Sequence, residues 1–158
     1  MPRFLELSLN EEVFHSFHKD FASDKDLENW RKDIACHLDY FEQVLRNYQK
    51  DNPYSLDFAI VSSGNLVGGI SCVDINSVDC LKNGEVSYWL GRDYWGKGIA
   101  TQVLGDFSNW LFDKQDFYYL SAITSETNLG SQKVLEKNGF ALEKILSDNK
   151  RMYFRYRD

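Results

Sequence analysis

Gly91-Arg92-Asp93-Tyr94-Trp95-Gly96-Lys97-Gly98-Ile99-Ala100-Thr101 is the stretch on which the reading of the whole chain turns. Before it, Glu85 to Leu90 alternates and reads as a strand. After it, Gly98 to Phe112 reads as a helix, with Ile99, Val103, Phe107, Trp110 and Leu111 along one face. Glycines in the turn let backbone approach a ligand closely. The free N–H groups and the dipole at a helix start favour phosphate. Lys97 and Arg92 add positive charge. These residues read as an anion or phosphate site opening a helix, and equally as a tight strand-to-helix turn that uses glycine. A Walker loop needs G-x-x-x-x-G-K-S/T, which is absent. Gly96, Gly98 and Thr101 give G-x-G-x-x-T, short of a dinucleotide fingerprint. Asp116, at about the required distance, precedes the next strand instead of ending it.

Outward from that stretch the chain reads as one continuous domain over residues 1–158, without repeats or low-complexity segments. Phe4 to Ser8 reads as a short strand. Asn10 to Tyr48 is helical in pattern, with Phe14, Phe17 and Phe21 on one helix and Leu38, Phe41, Val44, Leu45 and Tyr48 on a second. Pro53 ends it. Leu56 to Ser62 and Leu66 to Ile75 read as strands joined by a turn at Ser63-Gly64-Asn65. Gly68-Gly69 implies a bulge or bend, and Asn83-Gly84 reads as a turn before the strand from Glu85. Phe117 to Thr124 is a strand. Asn128 to Asn138 is a helix with an Asn cap and Gly139 at C′. Phe140 to Leu146 and Met152 to Tyr156 close the chain as strands. Hairpin strands beside crossover helices mean a mixed α/β sheet.

Composition narrows the function. The chain has 158 residues, 43% hydrophobic and 27% charged, which excludes a disordered chain or a disulfide scaffold. Its net charge of −6 disfavours nucleic acid as the main partner. No run of about 18 apolar residues exists, so no membrane span is expected, and the N-terminus does not read as a signal peptide. Three cysteines, Cys36, Cys72 and Cys80, lack C-x-x-C spacing, which favours a reducing compartment, the cytoplasm by default, and argues against zinc. His15 and His18 have metal-compatible spacing but no visible third ligand, so no metal is expected. Exposed aromatics leave a homodimer open.

Two blocks carry a family resemblance. The first is Glu85-Val86-Ser87-Tyr88-Trp89-Leu90-Gly91 followed by Tyr94-Trp95-Gly96-Lys97-Gly98-Ile99-Ala100-Thr101. The second is Asn128-Leu129-Gly130-Ser131-Gln132-Lys133-Val134-Leu135-Glu136-Lys137-Asn138-Gly139-Phe140. Together they resemble the GCN5-related N-acetyltransferases (GNAT), and most the branch with the ribosomal-protein alanine acetyltransferases. The resemblance implies a bent, mostly antiparallel seven-stranded sheet, with a splayed central parallel strand pair and flanking helices. It implies acetyl-CoA as co-substrate, direct acetyl transfer to a primary amine, and no metal.

By that resemblance the family's Q/R-x-x-G-x-G/A loop falls on Trp95-Gly96-Lys97-Gly98-Ile99-Ala100, with Trp95 where Gln or Arg is usual in the family and Trp is common in the resembling branch. Backbone N–H groups at Gly96, Gly98 and Ala100 inherit the diphosphate contact, with Lys97, Ile99, Thr101 and Arg92 beside them. The N–H near Trp89 or Leu90 would polarise the thioester carbonyl. Asn128 would contact the pantetheine arm, and Lys137 has a cofactor or a structural role. An attacking lysine-type amine must lose a proton whose pKa is near 10.4, so a base or water chain is needed. Glu85 is the candidate base, and an exposed strand-end acid is the other reading. The Tyr that many relatives use as general acid is Leu135 here. Ser131 is the candidate partner for the sulfur, with a local helix-capping bond as its alternative. The acceptor, a peptide N-terminus or a small-molecule amine, is expected between the 21–48 segment and the last hairpin. A non-catalytic acyl-CoA-binding or partner-binding domain on the same fold is the alternative function.

Overall fold

Leu56 to Ser62, a hairpin strand, is the first element of the computed structural model, which describes residues 55–78, 81–147 and 149–158. The strand expected over Phe4 to Ser8 and the helices expected before Pro53 lie outside the described residues. The elements are β1 (Leu56–Ser62), β2 (Asn65–Val78), β3 (Leu81–Leu90), a 3-10 turn (Arg92–Tyr94), α1 (Ile99–Gln115), β4 (Phe117–Ser125), α2 (Leu129–Lys137), β5 (Ala141–Ile145) and β6 (Lys150–Tyr156). The strands form one sheet of six in the order β1-β2-β3-β4-β6-β5. Every pairing is antiparallel except β3 with β4. That exception needs a crossover, and α1 supplies it. The architecture is the mixed, mostly antiparallel sheet that the sequence implied, with six strands described.

The bulge expected near Gly68-Gly69 is present. Ile60 pairs with Gly68 and Val61 with Leu66, so Val67 is the extra residue on β2. The turn expected at Asn83-Gly84 is not. Both residues lie inside β3, which begins at Leu81. A Cβ on Gly84 would sit 2.5 Å from Cys72 Sγ and 3.1 Å from a Phe117 ring carbon. Glycine is required there by packing between β2 and β4, not by a turn.

The core lies between the sheet and the helices. Leu104 and Leu111 of α1, Leu120 of β4, Leu135 of α2 and Tyr153 of β6 are all at most 1% exposed. Each buried leucine contributes about 1.5–3 kcal/mol relative to exposure. On β3, Val86 and Leu90 are buried and Tyr88 packs against the core, while Glu85, Ser87 and Trp89 lie on the opposite face. Helix α2 stops as its sequence implied. Gly139 has φ 77°. Phe140 N–H donates to Leu135 O and Gly139 N–H to Glu136 O, both at 3.1 Å. This is the Schellman arrangement, sealed by the buried Phe140 and Leu135.

Candidate functional site

The site begins where the parallel pair comes apart. β3 and β4 are joined from Lys82 opposite Phe117 to Glu85 opposite Ser121. Beyond that rung no pairing joins them, although β3 continues to Leu90 and β4 to Ser125. Glu85 therefore sits at the mouth of a splay. Which backbone groups face the gap follows from register. Gly91 N–H donates to Val67 O at 2.9 Å, which makes that pair hydrogen-bonded. Antiparallel pairs alternate, so Trp89 with Gly69 and Ser87 with Ser71 are also turned toward β2. Val86, Tyr88 and Leu90 direct their N–H and C=O groups into the gap. Of the two backbone positions named from sequence, Leu90 faces the splay and Trp89 faces β2. The Ser71 and Ser87 hydroxyls, 2.8 Å apart, tie the two strands on the Glu85 face.

The glycine-rich loop continues from the end of β3. Tyr94 N–H donates to Gly91 O at 2.9 Å and Trp95 N–H to Arg92 O at 3.0 Å, closing a single 3-10 turn. Gly96 and Gly98 then take left-handed φ values of 69° and 78°. No atom lies within 4 Å of a Cβ built on either, so conformation demands glycine there and the space beside the loop is open. Helix α1 starts with Gly98 as N-cap. It has no side-chain cap bond and no acidic residue in its first turn. The first bond back to the cap is Gln102 N–H to Gly98 O, 3.0 Å. Among the described residues the N–H groups of Gly98, Ile99, Ala100 and Thr101 have no partner. Four free donors and an uncompensated dipole form an anion cradle. Lys97 and Arg92 are exposed beside it, and Lys97 Nζ lies 5.5 Å from the Tyr94 ring centroid.

Helix α2 brings the second block to the far side of the splay. Asn128 caps it by accepting Ser131 N–H at 3.1 Å. The local capping bond thus uses the Ser131 amide, not its hydroxyl. Gln132 braces the preceding loop, donating to Ser125 O at 3.1 Å and Glu126 O at 2.8 Å. Arg151 of β6 holds Gln132 Oε1 at 3.1 Å and Glu126 Oε1 at 3.3 Å. Leu135, at the position of the usual Tyr, is core.

Three side chains at the site were not singled out from sequence. Tyr88 reaches from β3 to α2 and donates to Ser131 O at 3.4 Å. Burial pushes its phenol up to about 12, with a contact to the Ser131 side chain offsetting part of the rise. The alternation that put Tyr88 on the core face was legible, but the hydroxyl's target was not. Gln132, by contrast, had no sequence signal. Asn138 donates to Thr101 O at 3.1 Å and Val134 O at 2.8 Å, stitching the end of α2 to the first turn of α1. Its place before Gly139 marked only a helix end. Lys137, exposed next to Asn138, stands at the α1 end of α2, six residues from Ser131. Glu85 and Ser131 approach β3 from opposite faces. Among the described residues no cluster of three or more His, Cys, Asp or Glu could hold a metal ion, and no helix is long and apolar enough to cross a membrane.

The family model for the acetyltransferase (GNAT) domain matches residues 5–141. The chain belongs to the GNAT family. This GNAT chain is 30% identical over 143 residues to the probable N-acetyltransferase YjcK of Bacillus subtilis, covering 90% of itself and 75% of YjcK. It is 23% identical over 106 residues to the putative ribosomal N-acetyltransferase YdaF of the same organism, covering 66% of itself and 57% of YdaF. Among solved structures it superposes on the microcin C7 self-immunity acetyltransferase MccE, in complex with acetyl-CoA and AMP. The TM-score is 0.73 at 22% identity, over 97% of this chain and 85% of the other. For Mycobacterium smegmatis RimJ, in complex with CoA-disulfide, the TM-score is 0.72 at 20% identity, over 80% of this chain and 65% of the other. At those identities the structural matches speak for the fold.

Proposed function

We propose that this GNAT chain is an acetyl-CoA-dependent N-acetyltransferase that transfers acetyl directly to a primary amine, working as a single domain over residues 1–158. The observation that carries this is a strand splay leading into a helix start with free N–H donors and no acid in its first turn. Such a start favours a diphosphate, and the splay beside it exposes strand backbone to an extended arm. RimJ and MccE, whose structures hold CoA-disulfide and acetyl-CoA, support the choice of ligand.

In this reading Gly96, Gly98, Ile99, Ala100 and Thr101 present backbone N–H groups to the diphosphate, and Lys97 and Arg92 balance its charge. Lys137 and Asn128 border the same ligand from α2. The Leu90 N–H is aimed where a thioester oxygen gains charge, and a preformed donor there is a large term in acyl transfer. Glu85, at the mouth of the splay, takes the amine proton, directly or through water, as the new N–C bond forms and the C–S bond breaks. Ser131, with Tyr88 behind it, hydrogen-bonds the departing sulfur, which leaves as a thiolate and takes its proton from solvent. A phenol held near 12 stays protonated at neutral pH and remains a donor. The acceptor is a peptide N-terminus or a small amine, a range spanned by relatives named as ribosomal-protein and spermidine acetyltransferases. A reducing compartment, the cytoplasm, is part of the same proposal.

A second reading, an acyl-CoA-binding domain without turnover, is favoured by Leu135, which places a buried apolar side chain where many relatives carry an acid. Calorimetric titration with acetyl-CoA, followed by thiol release against peptides, polyamines and aminoglycosides, separates the two. Release on any amine class supports the enzyme. Binding without release supports the binder, and no binding removes both.

A further inference from the structure

Trp95 stands where the wider family pattern has Gln or Arg, and an indole cannot supply the acceptor or the charge that those side chains would. Its exposure of 45% places it at the surface of the loop. Yet its single polar atom is already used. The indole Nε1–H donates to Leu90 O at 2.8 Å, inside the normal range for a strong bond. Leu90 O is one of the groups that register directs into the splay. The bond therefore runs backward, from the loop to the last residue of β3.

Its consequence is geometric. Gly91 N–H holds the start of the loop on Val67 O at 2.9 Å, and the turn over Arg92–Tyr94 is closed by its own backbone. Directly after Trp95 come the two left-handed glycines and the free N–H groups of α1. Without the indole bond, no hydrogen bond among the described residues ties the stretch from Gly96 to Gly98 to the sheet. We infer that Trp95 is a clasp: a positioning residue whose N–H fixes the loop against β3 and so presets the backbone N–H cradle for a diphosphate. The inference rests on the acetyl-CoA reading above. Position 95 then serves an anion by ordering backbone in advance, which lowers the ordering cost charged to binding, and Lys97 and Arg92 are left as the loop's cations.

Two substitutions separate a clasp from a ligand contact. Trp95→Phe keeps the ring and deletes the N–H. Trp95→Leu deletes the bond and the ring together and adds no donor or charge. The full chain and both variants are titrated calorimetrically with acetyl-CoA and with S-acetyl-pantetheine, which has the thioester arm and no diphosphate. The clasp predicts that both variants bind acetyl-CoA about three- to tenfold more weakly, the range of one lost hydrogen bond. It predicts unchanged affinity for S-acetyl-pantetheine and melting temperatures lowered by no more than about 6 °C, the cost of one hydrogen bond. Wild-type acetyl-CoA affinity in Trp95→Phe or in Trp95→Leu overturns it. Equal losses on both ligands with a lowered melting temperature also overturn it, since they mean a role in the fold alone. A parent chain that fails to bind acetyl-CoA removes the acetyl-CoA reading itself, and the clasp with it.

Discussion

The two helices that flank the splay begin in opposite ways. Helix α2 is closed by its own chain: Asn128 accepts the Ser131 amide, and Gln132, Arg151 and Glu126 brace the loop in front of it. Helix α1 is left open, with a left-handed glycine as its cap, no side-chain bond and four N–H groups without a partner among the described residues. Neither first turn carries an acid. A helix start satisfied from within can hold a side chain such as Ser131 in a fixed place. A helix start left unsatisfied can bind an anion. In the proposed function the two jobs fall on different helices, and Asn138, bonded to Thr101 O, ties the end of α2 to the first turn of α1.

The largest expected effect breaks the open end. Gly98→Asp puts a Cβ at φ 78° and a negative charge at the positive end of α1. Acetyl-CoA affinity should fall roughly 100-fold or more, read by calorimetry, and unchanged affinity would remove the cradle. Glu85→Gln tests the mouth of the splay instead. Turnover should fall about 100-fold, the lower range for a lost general base, with acetyl-CoA affinity preserved. Parent-like turnover across pH would exclude Glu85 as base.

The sealed side carries its own signature at alkaline pH. Burial pushes the Cys72 thiol from 9.0 up to about 12, with Lys82 pulling it back and Asp57 and Glu85 adding to the rise. Tyr88 is likewise raised from 10.0 to about 12 by burial. Both groups keep their protons in the folded chain after the unfolded chain has lost them. The unfolded state then binds fewer protons, so stability is full below about pH 9 and falls as pH rises toward 12. A loss of about 1–2 kcal/mol by pH 10 is expected in denaturant melts. Tyr88→Phe together with Cys72→Ala should flatten the slope, and an unchanged slope would refute the assignment. The smallest effect is at the closed helix start. Asn128→Ala should cost about 1 kcal/mol of stability and weaken acetyl-CoA binding only about three- to tenfold, the loss of one contact to the pantetheine arm. A loss of affinity matching that of Gly98→Asp would erase the distinction between the two ends.

What could be read from sequence was what neighbouring residues decide. Alternation gave β1 its bounds, Leu56–Ser62, and put Glu85, Ser87 and Trp89 on one face of β3. Asn128 and Gly139 marked both ends of α2 because caps are local. Asn83-Gly84 misled for the same reason. Its turn signal is local, whereas the need for Gly84 comes from Cys72 and Phe117 on neighbouring strands. The side chains that tie the site together act over long sequence separations: Tyr88 to Ser131, Asn138 to Thr101 and Arg151 to Gln132. No spacing rule reports such pairs. The Trp95 bond spans only five residues, but it depends on a turn geometry that the letters do not fix.

The measurement that tests the central claim most directly is calorimetric titration of acetyl-CoA into three chains: the parent, Gly98→Asp and Asn128→Ala. The open-end account predicts micromolar binding by the parent that weakens with added salt, binding weakened about three- to tenfold in Asn128→Ala, and binding lost in Gly98→Asp. No binding by the parent, or the same affinity in all three, would contradict it.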